Sequence, residues 1–148
     1  MKTLRTLCYV AAALSLFLSC KAEPLEGDEQ APVIEIMSPV ENEEFYTIAS
    51  NTAPSVLQIR AKATDNNAVT FGILTIADPN GDLADVDFDT NIKENNTVME
   101  LSSDFSTDTP GTYTLRFLFR DANGNEASTS RTVRCLHVGG DTDLAAKN

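Results

Sequence analysis

Acidic and amide side chains at turn positions are the groups of this sequence best suited to bind an ion. Asp78, Asn80 and Asp82 occupy the first, third and fifth positions of a loop, and Asp89 stands where a twelfth-position acid would. Carboxylate and amide oxygens are the ligands that calcium prefers, so this spacing defines a candidate calcium site. Leu83 stands where the helix-loop-helix calcium loop requires glycine, which excludes that family.

A second candidate calcium site depends on turns from different parts of the chain meeting at one end of the fold. Its oxygens would come from Glu44 with its neighbour Glu43, from Asp65, and from Asp121 and Asn123. For both candidates the favoured interpretation is that these residues shape turns and keep the protein soluble. Calcium is the single cofactor that the sequence suggests, and no cofactor is the main expectation.

Groups that could perform catalysis are sparse. His137 is the only histidine, and no serine or cysteine constellation accompanies it, so we expect a polar surface residue. Cys135 is predicted to be a small buried hydrophobic residue rather than a nucleophile. We therefore expect no enzymatic activity. A hydrolase, the least favoured alternative, would need two acids with raised pKa values converging in a cleft.

The charge of the chain argues against nucleic acid as a partner. Aspartate and glutamate number 22, lysine and arginine 11, and the formal net charge is −11. A strongly acidic protein is repelled by DNA, RNA and anionic membrane surfaces.

Glycan binding by a sandwich usually needs exposed aromatic rings, and only Phe45 and Tyr46 are predicted to offer such a surface. Polysaccharide binding is therefore a less favoured function.

The first twenty residues predict export and lipid attachment. Lys2 and Arg5 precede an uncharged, largely apolar run over 6–19, which is typical of a signal peptide and too short to span a bilayer. The run ends in FLSC at 17–20, which resembles the lipobox of bacterial lipoproteins. That resemblance implies lipidation (palmitate or a similar acyl chain) at Cys20, which becomes the mature N-terminus and anchors the protein to a membrane.

The segment after Cys20 predicts a flexible acidic tether over 20–32, because it is rich in carboxylates and proline and poor in apolar residues. An acidic stretch at this place resembles the surface-export signals of Bacteroidota lipoproteins, which implies an outer-membrane protein displayed outside the cell. The alternative is an acidic linker without such a signal, which leaves a domain that faces the periplasm open. The predicted organisation is a signal peptide over 1–19, this tether, one folded domain over 33–138 and a disordered tail over 139–148.

Period-two alternation of apolar and polar residues predicts an all-β domain of about seven strands. The clearest strand is 55–63, with Leu57 and Ile59 on its buried face, and 112–120 is predicted to be central. Gly72 is predicted to mark a β-bulge. The other strands are expected at 32–36 on a sheet edge, with 44–46 continuing it after a turn, at 69–76, around Val86 and Phe88, at 97–101 and at 128–136.

Three segments resemble bacterial immunoglobulin-like and cadherin-like domains of surface proteins, namely PVIEIMSP at 32–39, AKATDNN at 61–67 and DANGNEAS at 121–128. The resemblance implies an immunoglobulin-like sandwich of two sheets. The TPGTY segment at 109–113 is similar to the approach to strand F in that group, which implies that the Tyr113 hydroxyl bonds to upstream backbone. The Cys, Trp and Cys pattern of antibody domains is missing, so no internal disulfide is expected.

These observations together predict a noncatalytic, lipid-anchored module at the cell surface that acts in binding, in adhesion or as an accessory subunit. Its expected partners are the membrane through the anchor, and surface proteins or glycans. The alternative function is a structural spacer or an assembly subunit of an outer-membrane complex. An exposed apolar patch larger than a few hundred Å² would favour that alternative.

Overall fold

The computed structural model of the protein describes residues 27–47 and 56–137, and within these ranges all regular structure is β. The strands in these ranges are β1 Val33–Ser38, β2 Glu43–Tyr46, β3 Leu57–Thr64, β4 Val69–Ala77, β5 Leu83–Ala84, β6 Asp89–Lys93, β7 Val98–Phe105, β8 Gly111–Asp121 and β9 Glu126–Leu136. One sheet has the strand order β1-β3-β7-β6 and the other β2-β9-β8-β4-β5. The predicted all-β, two-sheet fold is confirmed, with nine strands in the described ranges where about seven were expected.

The order of the strands is that of an immunoglobulin-like sandwich. The sheet β1-β3-β7-β6 reproduces strands A, B, E and D, and β4, β8 and β9 reproduce strands C, F and G of the other sheet. The chain changes sheets between β1 and β2, and β2 then pairs with β9 in parallel, whereas the other strand pairs are antiparallel. The residues at 44–46 thus form a strand of the second sheet and do not continue β1.

Alternation along the two central strands builds the core. In β3 the inward residues Leu57, Ile59, Ala61 and Ala63 are at most 2% exposed, as the sequence predicted. They face an equally buried row on β8 that contains Tyr113, Leu115, Phe117 and Phe119. Since β8 lies between β9 and β4, the prediction of a central strand is confirmed. This burial of apolar surface is the main source of stability for a sandwich without a disulfide.

The strand predicted around Val86 and Phe88 is wrong. These residues lie between β5 and β6, where the chain passes from the second sheet to the first, and they form no ladder. Both side chains are half-buried and pack against the core. Val86 and Phe88 therefore point toward the core and the aspartates that alternate with them point outward, although this segment is a crossover between the sheets and not a strand.

The bulge predicted at Gly72 is also wrong in its position. The register of β4 against β8 shifts between Val69 and Phe71, so the extra residue is Thr70, whose hydroxyl donates to the carbonyl of Asp121 at 2.9 Å. Gly72 instead allows the side chains of Phe119 and Met99 to pack closely against the backbone of β4. A Cβ at this position would lie 2.8 Å from a ring carbon of Phe119 and 2.9 Å from the sulfur of Met99.

Several predictions concern residues outside the described ranges. These are the signal peptide, lipidation of Cys20, the first part of the tether and the tail over 139–148. In the part of the chain that is described, no helix has the length and apolar character needed to cross a bilayer.

Candidate metal centre

Three aspartates meet at one end of the sandwich because the elements that carry them all begin or end there. Asp65 follows β3, Asp121 ends β8, and Asp28 lies a few residues before β1. One carboxylate oxygen from each residue can be chosen so that all three lie within 4.8 Å of one another. We call Asp28, Asp65 and Asp121 the acidic end cluster.

The turn at 121–125 fixes the orientation of the Asp121 carboxylate. Its Oδ1 accepts hydrogen bonds from the backbone N–H groups of Asn123 and Asn125, both at 2.8 Å, and its Oδ2 accepts one from the Asn125 side chain at 2.7 Å. The residue is only 2% exposed. Burial works to raise the pKa of Asp121, but these hydrogen bonds outweigh it, so the pKa lies below its usual value and the group is ionised at neutral pH.

A similar but shorter turn holds Asp65. The backbone N–H of Asn67 donates to Asp65 Oδ1 at 2.8 Å, and the Asp65 N–H donates to the carbonyl of Thr97 at 2.9 Å. Asp65 is 9% exposed. Aspartate is favoured at such positions because its side chain can accept a hydrogen bond from the backbone two residues later.

Asp28 joins the cluster because the last residues before β1 dock on the 121–125 turn. The side-chain amide of Asn125 donates to the carbonyl of Asp28 at 2.7 Å, and that of Asn123 donates to the same carbonyl at 3.3 Å. Asp28 Oδ1 accepts from the Gln30 N–H at 3.0 Å. Its Oδ2 is buried and has no hydrogen-bond donor within the described ranges.

The second calcium site suggested by the sequence is thus formed only in part. Asp65 and Asp121 meet as expected, and Asn123 lies beside them with its Oδ1 2.9 Å from Asn67 Nδ2. Glu44 was wrongly included. It lies on β2, where its carboxylate accepts from Arg134 at 3.1 Å, and Arg134 pairs with the start of the 11-residue strand β8. About 30 Å of strand then separates Glu44 from Asp121, which ends β8.

Sequence reasoning missed Asp28 because it assigned this residue to the tether. The composition of 20–32 predicted flexibility, and a docking contact with a turn more than ninety residues later leaves no periodic signal in the tether itself. The contact forms between the Asp28 carbonyl and the side-chain amides of Asn123 and Asn125, and no local motif in the sequence marks it.

The first predicted calcium loop is not assembled among the described residues. Asp78 Oδ1 accepts the backbone N–H groups of Asn80 and Asp82 at 2.8 and 2.9 Å, so the carboxylate closes the β4–β5 hairpin. These hydrogen bonds outweigh desolvation and lower the pKa of Asp78. Asp89 begins β6 in the other sheet. Among the described residues, its carboxylate does not lie close enough to those of Asp78 and Asp82 for the three to bind one ion.

Tyr113 is held by its ring and by its hydroxyl. The hydroxyl donates to the carbonyl of Thr109 at 2.8 Å, and the hydroxyl of Thr107 lies 3.0 Å away. The ring packs against those of Phe45 and Phe105, with centroids 6.2 and 5.4 Å apart. Thr109 lies four residues upstream of Tyr113. The hydrogen bond between them is of the kind that the immunoglobulin-like resemblance implied for the Tyr113 hydroxyl.

The two residues considered for nucleophilic or acid–base chemistry lie two positions apart in sequence but differ in environment. Cys135 is 2% exposed on the inner face of β9, and burial raises the pKa of its thiol, with a further contribution from the charge of Asp108. His137 is exposed at the end of the same strand. A buried thiol with a raised pKa is a poor nucleophile.

An open cleft of about 560 Å³ lies at the β6 side of the first sheet. Arg60 of β3 lies beside Ser102 of β7, which in turn pairs with Asp89 of β6. Arg60 takes part in none of the ion pairs within the described ranges, so its guanidinium is available to a ligand. The residues that line the cleft are Arg60, Asp87, Phe88, Asp89, Ser102, Ser103 and Asp104.

Comparison with known proteins finds similarity of fold only. No protein-family model and no curated protein matches the chain. CopC from Methylosinus trichosporium OB3b aligns with 15% identity and a TM-score of 0.43, over 74% of this chain and 96% of that one. A chain of the titin M10–obscurin-like 1 Ig F17R mutant complex aligns with 11% identity and a TM-score of 0.38, over 74% and 98%. The immunoglobulin-like arrangement is defined by the strand order itself.

Proposed function

We propose that this protein is a noncatalytic binding module, an immunoglobulin-like sandwich attached to the outer membrane through a lipid on Cys20. The observation that carries the binding role is the cleft around Arg60. Its volume of about 560 Å³ falls within the range of ligand sites in proteins, roughly 300–1,000 Å³. An immunoglobulin-like fold serves many functions, so the site and not the fold carries the proposal.

The chemistry of the cleft suits a polar partner with charged groups of both signs. Arg60 offers planar donors for a carboxylate, and Asp87, Asp89 and Asp104 offer acceptors for amines or hydroxyl groups. The half-buried Phe88, which also packs against the core, is the apolar residue among those that line the cleft. We infer that a protein or glycan of the cell surface binds here.

Site-specific photo-crosslinking in intact cells tests the binding role. A crosslinking residue in place of Ser102 lies in the cleft, whereas one in place of Ser130 lies on β9 in the other sheet and is also exposed. We expect a defined adduct from position 102 that Arg60→Glu abolishes, and none from position 130. Equal labelling at both positions, or none at position 102, contradicts the proposal.

Cys20→Ala tests the lipid anchor separately. The variant should lack acyl label and leave the membrane fraction, because the anchoring energy comes from buried acyl methylenes. Acyl labelling that persists in the variant contradicts the anchor without affecting the cleft.

A second candidate function, an assembly subunit, is favoured by exposed apolar side chains on β1, which is an edge strand among the described residues, and in the turn that follows it. Val33, Met37 and Val40 are 72%, 49% and 65% exposed. Sedimentation of the purified protein distinguishes the two candidates. A self-associating species that Met37→Lys dissociates supports assembly, and a monomer at tens of micromolar supports the binding module.

A further inference from the structure

We propose that an extended, basic segment of a partner protein pairs with the free edge of β6, adds a strand to the first sheet and places a cationic side chain in the cleft around Arg60. This inference rests on the proposed binding function and names the kind of partner and its mode of contact. Among the described strands, β6 pairs with β7 alone. Alternate backbone N–H and C=O groups of such a strand point away from the sheet and can pair with another chain.

The four strands that end a sheet in the described ranges differ in how well their edges are protected. β1 has prolines on both sides, at 32 and 39, and its register against β3 shifts between Ile36 and Ser38. Prolines and bulges of this kind hinder further pairing. β5 has two residues and β2 has four. β6 has five residues in unbroken register with β7 and contains no proline, so it is the edge that another strand can extend most easily.

The inward side of β6 is uncovered. Thr90 and Ile92 pair with Leu101 and Met99, which are buried on the inner face of β7, so all four side chains point toward the inside of the sandwich. All five residues of β6 are nevertheless exposed, and Ile92 is 48% exposed. An inward-pointing charge is a usual protection of a free edge, and neither Thr90 nor Ile92 carries one. A strand added to β6 would cover Ile92 with an apolar side chain.

The outward side of β6 leads into the cleft. Asp89 of β6, Ser102 of β7 and Arg60 of β3 lie in one row across the outer face of the sheet. Because serine is shorter than both neighbours, it forms the floor of this row, and all three residues line the cleft. A strand next to β6 continues the row about 4.8 Å beyond Asp89. A long side chain at that position can therefore reach over Asp89 into the cleft.

The charges of the cleft favour a basic side chain. Asp87, Asp89 and Asp104 line it together with a single cation, Arg60, which leaves an excess of negative charge. None of these three carboxylates takes part in an ion pair within 27–47 and 56–137. The net charge of −11 also attracts a basic segment over a longer distance. An added strand with arginine or lysine opposite Asp89 thus gains attraction, whereas an acidic strand is repelled.

Binding of a synthetic peptide to the purified full-length protein tests the proposal. The probe is a fluorescent peptide of sequence VTVRVTV, which reads the same in both directions and can therefore pair with β6 in either orientation. We expect saturable binding by fluorescence anisotropy, and slower hydrogen exchange at the β6 amides that point away from β7. The reordered peptide VVVVTTR should bind about tenfold more weakly, because its apolar and polar side chains do not alternate. The peptide VTVEVTV should be weakened as much, because its charge is reversed. Absence of saturable binding, or equal binding of the three peptides, overturns the proposal.

Ile92→Lys places a charge on the inward side of the edge and should weaken binding of VTVRVTV by about tenfold. The change should have little effect on folding, because Ile92 is half exposed. Leu83→Lys is the matched control, since Leu83 is an exposed apolar residue on β5 at an edge of the other sheet. This variant should bind the peptide as the parent does. Affinity that Ile92→Lys leaves unchanged, or that Leu83→Lys lowers equally, is incompatible with pairing at β6.

The photo-crosslink from position 102 separates this inference from the proposed function. If the adduct forms in the parent and in Leu83→Lys but is lost in Ile92→Lys, the cellular partner uses the edge of β6. If the adduct persists in Ile92→Lys, the cleft binds a glycan or a protein surface without strand addition, so this inference is wrong while the binding role stands. Absence of the adduct from the parent contradicts the binding role itself and the inference with it.

Discussion

The side-chain amide of Asn125 donates a hydrogen bond to the backbone carbonyl of Asp28, which lies 97 residues earlier in the chain. The same amide group lies 2.7 Å from Asp121 Oδ2. Asn125 therefore joins the residues before β1 to the turn that follows β8. A turn residue therefore holds Asp28 and Gln30, whereas strand pairing holds the chain from Val33 onward.

Asn125→Ala should lower the free energy of unfolding by about 1–2 kcal/mol, because Asp121 Oδ2 loses its donor and the Asp28 carbonyl keeps only the longer contact of 3.3 Å from Asn123. Urea denaturation measures this loss, and hydrogen exchange should become faster at residues 28–30. Asn80→Ala is the control, since that side chain makes only a long contact of 3.4 Å with Asp78. Equal losses in the two variants would argue against a special role for Asn125.

Removal of the Tyr113 hydroxyl tests the contact with Thr109. Tyr113→Phe keeps the ring packing with Phe45 and Phe105 and should cost about 1 kcal/mol through loss of a partly buried hydrogen bond. Tyr113→Leu should cost more, because it also removes the aromatic contacts. Thermal and urea unfolding measure both. An unchanged unfolding curve for Tyr113→Phe contradicts the role of the hydroxyl.

The regular part of the fold could be predicted because alternation reports burial directly. In β3 and β8 every second residue is buried, so the sequence identified both strands and their inward faces. The alternation around Val86 and Phe88 led to the wrong prediction of a strand, because a crossover segment can also point alternate side chains toward the core. Periodicity detects which side chains are buried but not whether the backbone has a hydrogen-bonded neighbour.

The acidic end cluster could be predicted only in part, for a related reason. Turn residues such as Asp65 and Asp121 are recognisable from local sequence. Which turns share an end of the sandwich depends on the order of strands, and docking of Asp28 depends on a contact that local sequence does not encode. Glu44 was misplaced because its strand belongs to the second sheet and runs beside β9 at the opposite end of β8.

Gly72 tests how tightly the core is packed over β4, against Phe119 of the neighbouring strand β8 and Met99 of the other sheet. A methyl group at this position would contact the Phe119 ring at 2.8 Å and Met99 Sδ at 2.9 Å. Met99 can move, but the Phe119 ring is fully buried, so Gly72→Ala should destabilise the protein by about 1–3 kcal/mol. Combination with Phe119→Leu should cost less than the sum of the single changes, since the smaller side chain makes room. Strict additivity in urea unfolding contradicts the packing argument.

Acid unfolding should depend on Asp78, whose carboxylate closes the β4–β5 hairpin. Its pKa in the folded protein is lowered, because hydrogen bonds from the N–H groups of Asp82 and Asn80 outweigh desolvation. A group with a lowered folded pKa stabilises the protein above its unfolded pKa, about 3.9 for aspartate. This contribution is lost as the pH falls through that value toward the lower folded pKa. Stability should therefore decline below about pH 4.

Asp78→Asn isolates this contribution, because asparagine keeps a carbonyl acceptor but does not titrate. The variant should be less stable than the parent at pH 7, and its melting temperature should fall less between pH 7 and pH 3. Asp82→Asn is the matched control, since its carboxylate takes no part in the hydrogen bonds of the turn. If acidification lowers the melting temperature of Asp78→Asn as much as that of the parent, the acid sensitivity arises elsewhere, and the hydrogen bonds to Asp78 do not favour its ionised form.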